Sequence, residues 1–273
     1  MLKKIILPAF ITALLLFAAP KALAAGEVNA EVAGRSLSNT VMADDVTIVP
    51  VREFCQALSP NCSVSWDAAS LTVSIHADGL ELNAQSGREY IIANGRYLYV
   101  GKNAFISPQG SFMLPLRSLA RAFSAPVSWD AQSRTARVSS GGGAIKCGDD
   151  FYASDAVYWL SRIISAEARG ESLAGQIAVG NVVMNRVRSG DYPNTIYGVI
   201  FDDEYGVQFT PTANGTIYDP PTESAVIAAR LVLDGADVAG GCLYFLNESI
   251  ATSLWIVRNC TYVATIGNHS FYV

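Results

Sequence analysis

The sequence predicts an α+β chain: a β-rich repeated N-terminal domain followed by a mainly helical C-terminal domain. Three observations carry this. The N-terminal half repeats itself, with alternating strand residues in both copies. A Ser-Ser-Gly-Gly-Gly run at 139–143 breaks the composition, and beyond it apolar residues recur at helical spacing.

The first residues have the pattern of a secretory signal. Lys3 and Lys4 precede an apolar run over 5–18, and Ala22-Leu23-Ala24 offers a small-x-small cleavage site. The run is shorter than the roughly 20 residues a membrane span needs, and no cysteine precedes Cys55. The expectation is a signal peptide over 1–24 and an exported, soluble product without a lipid anchor. Net charge is −5, from 19 basic and 24 acidic residues, with no basic stripe. That argues against nucleic acid as a partner.

The repeat runs over 26–138. Val49-Pro50-Val51-Arg52 matches Leu114-Pro115-Leu116-Arg117, and each is followed by a short helical pattern. Each copy then reaches Val-Ser-Trp-Asp-Ala, at 64–68 and 127–131, and a strand: Leu71, Val73, Ile75 in one, Ala136, Val138 in the other. Upstream, Ala33-Gly34-Arg35 matches Asn94-Gly95-Arg96, and Asn-Gly predicts a hairpin between 89–93 and 97–100. Trp66 and Trp129 are expected in the core, since a tryptophan before such a turn usually anchors packing; stacking on sugars is its other use. The five cysteines are an odd number. Cys55 with Cys62 and Cys242 with Cys260 are conceivable bridges that would leave Cys147 over, but connectivity does not follow from sequence. Residues 139–150 are expected to be a flexible linker.

The C-terminal domain spans 151–273. A helix is predicted from Ser154 or Asp155 to Gly170, with Ala156, Leu160, Ile163 and Glu167 on one stripe. Arg162, Ser165 and Arg169 mark its solvent side. A carboxylate on the apolar stripe should have its pKa raised by desolvation and be able to donate a proton near neutral pH. A second helix starts at Ser172, its Ile177, Val182, Val183 and Val187 facing inward and Gly180 allowing close approach. Asp191 to Thr195 breaks it. Residues 201–218, rich in Gly, Pro, Thr and Asp, predict a long functional loop or irregular strands. Asp219-Pro220-Pro221-Thr222-Glu223 predicts a helix start and Gly235 its stop; 242–246 and 261–266 predict strands.

The runs AEARGE, GQIAVGNVVMNRV, QFTPTANGT, GCLYFLN and IGNHSFY, in that order, resemble the SleB/CwlJ-type cell wall hydrolases, bacterial enzymes that open peptidoglycan and were first known from spore-cortex breakdown. The repeat half resembles the copper amine oxidase N-terminal-like domain. The first resemblance implies a lysozyme/transglycosylase-like fold. It also implies cleavage of the glycan strand as a lytic transglycosylase between N-acetylmuramic acid and N-acetylglucosamine, with Glu167 as the single acid/base. Gln208, Phe209, Asn214, Gly215, Tyr244, Asn247, Trp255 and His269 match its motifs and would line a sugar cleft; for His269, fixing the C-terminal segment is the other reading. Glu171, after the helix stop, is expected to cap or solvate the turn. Arg169 is left between pairing with Glu171 and meeting substrate carboxylates.

A hydrolytic muramidase or glucosaminidase is the alternative. It needs a second carboxylate, for which Asp202, Asp203, Glu204 and Asp219 are the candidates, each more at home as a loop acid or cap. A catalytically inactive wall-binding or spore-coat module is the non-enzyme alternative. No cofactor and no metal are expected. The histidines, His76 and His269, fall in different domains, no HExxH is present, and a zinc or copper site usually clusters several imidazoles. Cys147 or Cys242 with His269 makes a poor thiolate pair, and no G-x-S-x-G elbow occurs. The expected partners are peptidoglycan glycan strands and a wall or spore-surface ligand for the repeat domain. The expected location is secreted, at the wall or spore.

Overall fold

A computed structural model describes residues 28–204, 206–251 and 253–273; the expected secretory signal lies outside the described residues. Among them no helix is long and apolar enough to cross a membrane.

The repeat appears as two copies that exchange strands. Copy one comprises β1 (Asn29–Val32), β2 (Arg35–Ser36), β3 (Val41–Ala43), β4 (Val46–Pro50), α1 (Val51–Leu58), β5 (Ser63–Asp67) and β6 (Thr72–Ala77). An extra strand, β7 (Leu80–Gln85), follows. Copy two comprises β8 (Tyr90–Ala93), β9 (Arg96–Tyr99), β10 (Phe105–Ile106), β11 (Phe112–Pro115), α2 (Leu116–Ala122), β12 (Val127–Asp130) and β13 (Thr135–Val138). The sheets run β12-β13-β1-β2, β5-β6-β7-β8-β9 and β10-β11-β4-β3. The first two each combine the last strands of one copy with the first strands of the other. In the third, β4 and β11 meet antiparallel, Val49 opposite Leu114. Both hairpins turn as their sequences require: Ala33-Gly34 and Asn94-Gly95 all have positive φ.

Trp66 and Trp129 do not lie in the core. They are 42% and 44% exposed, because both stand on strands at the edge of their sheets, so one side has no neighbouring strand to bury them. The Ser-Gly segment expected to be a flexible linker is laid against the repeat domain. Ile145 donates its N–H to Ala122 O (2.9 Å), Gly142 donates to Ser124 O (3.1 Å), and Asn94 Nδ2 donates to Ile145 O (3.0 Å). Gly141 packs so closely over the Phe123 carbonyl that a Cβ there would lie 2.6 Å from its oxygen.

The C-terminal domain is α3 (Gly148–Phe151), α4 (Ser154–Ala168), α5 (Leu173–Arg188), α6 (Ile196–Ile200), α7 (Thr210–Asn214), a 3₁₀ turn (Thr216–Tyr218), α8 (Glu223–Leu233), β14 (Tyr244–Leu246), α9 (Trp255–Asn259), β15 (Tyr262–Ile266) and β16 (His269–Tyr272). Helix α5 starts where Ser172 Oγ accepts from Gly175 N, and α8 where Thr222 Oγ1 accepts from Ala225 N. Gly180 lets α4, α5 and α8 close up: a Cβ there would sit 2.9 Å from both Ile164 and Val232. Ser165, read as a solvent-side residue, is buried and accepts from Thr222 N (3.1 Å), tying α4 to the start of α8. The 201–218 stretch is partly helical rather than a loop. Pro211 in the first turn of α7 and the left-handed Gly215 beyond it are ordinary helix start and stop residues. Strand β16 lies between β14 and β15, and its burial is complete along its length.

The two halves meet at Asp234, the C-cap of α8. Arg96 on β9 donates to its carboxylate through Nη2 (2.5 Å) and Nε (3.1 Å), Arg121 through Nη2 (2.6 Å), and the Tyr152 hydroxyl also donates to it. Arg121 reaches the Asp234 carbonyl as well (2.5 Å). Tyr90 of the second copy packs into the helical core. All five cysteines are free thiols; the conceived bridges Cys55–Cys62 and Cys242–Cys260 are not formed. The neighbouring Cys62 thiol, together with burial, pushes the Cys55 thiol up.

Candidate active site

Glu167 sits in the last turn of α4, half-buried, on the wall of a cleft of about 1030 Å³. The cleft is closed on its other sides by the start of α7, β14, the segment through Trp255, and His269 of β16. Among the described residues Glu167 has no hydrogen-bond or ion-pair partner, and burial alone pushes its carboxyl up to about 7. A helix C-terminus also disfavours negative charge, so a substantial share of the carboxyl stays protonated near neutral pH.

Four residues on, Glu171 lines the same cleft in the opposite state. It accepts from Asn268 Nδ2 (2.8 Å) and Asn268 N (3.1 Å) at the β15–β16 turn, and these bonds hold it below the usual carboxylate range. The turn closes on Glu171 so tightly that only Gly267 fits beside it. Arg169 does not pair with Glu171; its Nε donates to Ser165 O (3.4 Å). The cleft thus holds two carboxyls whose environments push their pKa values in opposite directions.

Six of the eight residues expected to line a sugar cleft line this one: Gln208, Phe209, Tyr244, Asn247, Trp255 and His269. Asn214 does not. It is exposed at the end of α7, where its Oδ1 accepts from Thr216 N (3.0 Å) and Thr216 Oγ1 (2.7 Å); the short amide is consumed by the turn it stabilises. Gly215 beside it serves as the left-handed cap. Phe209 is a buried wall, 2% exposed, against Phe245 at 6.5 Å. Trp255 is 57% exposed and meets Tyr244 edge-on at 6.3 Å, leaving most of its ring surface free for a ligand. His269 is buried edge-on to Phe245 at 5.3 Å, and its Nδ1 has no partner among the described residues. It therefore does not fix the C-terminal segment by hydrogen bonds through that atom. Burial pulls its pKa down, opposed by the Glu171 carboxylate.

Sequence reading missed Arg186. It lies on α5, 6% exposed, surrounded by the rings of Tyr192, Phe209 and Tyr244 at 5.0, 5.3 and 5.6 Å. It lines the cleft; its Nε donates to Leu243 O (2.8 Å), while Nη1 is buried without a partner among the described residues. An arginine one position before an inward valine in a mixed helix gives no local sign of this role. Of the alternative second acids, Asp202 lines the cleft and Asp203, Glu204 and Asp219 do not. His76 is exposed on β6. Among the described residues no group of three or more metal-ligating side chains gathers.

Residues 29–138 match the family described as copper amine oxidase N-terminal domain, and residues 170–272 match Cell Wall Hydrolase. Glu167 falls just before the second match. The chain is 38% identical over 120 residues to a spore cortex-lytic enzyme of Bacillus cereus, a span of 44% of this chain and 45% of that protein. It is 30% identical over 103 residues to the cell wall hydrolase CwlJ of Oceanobacillus iheyensis, covering 35% of this chain and 72% of that one. The solved catalytic domain of the germination-specific lytic transglycosylase SleB from Bacillus anthracis is 35% identical, with all of that chain and 47% of this one covered, at a TM-score of 0.42. The chain spans about half the length, 45%, of the cortex-lytic relative from Bacillus cereus. With a repeat domain of the copper amine oxidase N-terminal type in front, the chain belongs to the cell wall hydrolase family.

Proposed function

We propose that this chain is an exported lytic transglycosylase that cleaves peptidoglycan glycan strands between N-acetylmuramic acid and N-acetylglucosamine, with Glu167 as its acid/base. The observation that supports it is the unpartnered Glu167 carboxyl, half-buried in the cleft with its pKa near 7. In the first half of the reaction protonated Glu167 donates to the glycosidic oxygen, and the bond from the muramyl anomeric carbon to that oxygen breaks. The resulting carboxylate then takes the proton of the muramyl 6-hydroxyl, whose oxygen closes on the anomeric carbon. The products are a free N-acetylglucosamine 4-hydroxyl and a 1,6-anhydromuramyl end, with no water consumed and Glu167 reprotonated. One carboxyl suffices, which suits a site where the neighbouring Glu171 is already committed to Asn268. Trp255 and Tyr244 would face sugar rings, and the guanidinium of Arg186, which lines the cleft, would favour a substrate carboxylate there.

Hydrolysis is the second reading, and Asp202 in the same cleft is the observation that favours it, as a base for water. The test is to incubate the protein and its Glu167→Gln variant with purified peptidoglycan and weigh the released fragments. Anhydro-muropeptides from the parent alone are expected. Reducing ends that depend on Glu167 would make it a hydrolase, and release of nothing from several wall types would leave a binding module.

A further inference from the structure

The repeat domain builds the same groove twice. In the first, Arg52 of α1 and Trp66 of β5 are faced by Ile106 and Phe112 of the other copy's hairpin, around about 450 Å³. In the second, Arg117 of α2 and Trp129 of β12 are faced by Met42 and Thr47 of the first copy's hairpin, around about 650 Å³. Every one of these pairs is equivalent in the repeat: Arg52 with Arg117, Trp66 with Trp129, Met42 with Ile106, Thr47 with Phe112. The strand exchange is what closes each groove with residues of the opposite copy.

We infer that these are two equivalent sugar-binding sites, one per copy, which hold a glycan strand by the stacked faces of Trp66 and Trp129. Each indole is more than two-fifths exposed. Phe112 supports the Trp66 ring at 5.8 Å, fixing the platform before a ligand arrives. A pyranose ring presents an apolar C–H face with hydroxyls around its rim, and an aromatic plane in a groove with a few polar groups is complementary to it. Arg52 and Arg117 are exposed at the two grooves, and among the described residues neither has a carboxylate partner, so each is free to meet an acidic substituent. Two copies of one site call for a ligand that itself repeats, which is a polymer rather than a folded partner. That the polymer is an amino-sugar strand bearing lactyl and peptide carboxylates rests on the function proposed above. Joined by a buried ion cluster to the catalytic domain, the two grooves would raise the local concentration of strand near the cleft.

The test is co-sedimentation of the full chain, carrying Glu167→Gln to prevent digestion, with purified insoluble peptidoglycan. Trp66→Ala and Trp129→Ala are each expected to weaken binding about tenfold, and the pair about a hundredfold. The exposed pair Arg52→Ala and Arg117→Ala, which leaves the packing intact, is expected to weaken it about threefold each. Binding unchanged in both the double tryptophan and the double arginine variants overturns the inference, as does a parent that binds no wall. Fragment release by the Glu167 parent, measured in parallel, separates the two failures. Release without groove-dependent binding removes only the second sites, and absence of both removes the function with them.

Discussion

Glu167 and Asp234 occupy the same local position, the C-terminal end of a long helix, where the backbone already opposes a negative charge. Their surroundings are opposite. Asp234 is 2% exposed and receives two arginines and a tyrosine hydroxyl, and it joins the two domains. Glu167 is less buried and receives nothing; its proton is what makes it tolerable there. The contrast teaches that burial alone does not decide whether an acid is held in a network or left unpartnered. The partners differ: two guanidinium groups and a hydroxyl surround the Asp234 carboxyl, while burial without a partner pushes the Glu167 carboxyl up.

Breaking each side of the comparison should therefore fail in a different way. Glu167→Gln, nearly isosteric, is expected to lower the rate of strand cleavage by about 10²–10⁴-fold with the fold intact, read by fragment release and circular dichroism. Asp234→Ala should leave the chemistry at Glu167 in place but strand Arg96 in the interior; urea unfolding should show a loss of about 3–5 kcal/mol. A stability loss of that size in Glu167→Gln, or none in Asp234→Ala, would reverse the assignment.

The pH dependence sharpens the difference. The native pKa of Glu167 lies above the unfolded value of about 4.3, so the native state binds the proton more tightly. Its contribution is intact below that value and is lost as pH rises through about 7. Parent and Glu167→Gln should have nearly equal stability near pH 4, and at pH 8 the variant should be ahead by about 3–4 kcal/mol. Strand cleavage should fall over the same upper window as the acid is lost. The smallest effect is expected at the ionised neighbour. Glu171 sits below its usual range, so its bonds to Asn268 stabilise above about pH 4.3 and fade as pH falls. Asn268→Ala should cost less than about 1 kcal/mol at pH 7, and progressively less as the pH is lowered below about 4.3, by thermal unfolding across that range.

What the sequence disclosed follows the same division. Glu167 was legible because its anomaly is local: a carboxylate on an apolar stripe shows within one helix. The repeat, the hairpins and the caps at Ser172 and Thr222 were legible for the same reason. The Asp234 cluster was not, since its partners Arg96, Arg121 and Tyr152 lie 138, 113 and 82 residues away. Asn214 misled because an asparagine able to bind sugar is equally able to close its own turn. Trp66 and Trp129 misled because burial of a strand residue depends on whether its strand has neighbours on both sides, which is a property of the whole sheet. Helix α7 could have been found from Pro211 and Gly215 alone.

The most direct measurement is a carbon-13 NMR titration of the side-chain carboxyls, with Glu167→Gln to assign the signal. One carboxyl is expected to titrate near pH 7 and to vanish in the variant, while Glu171 titrates below the ordinary range. Finding no carboxyl with a midpoint above about 5, or one that persists in Glu167→Gln, would contradict the account.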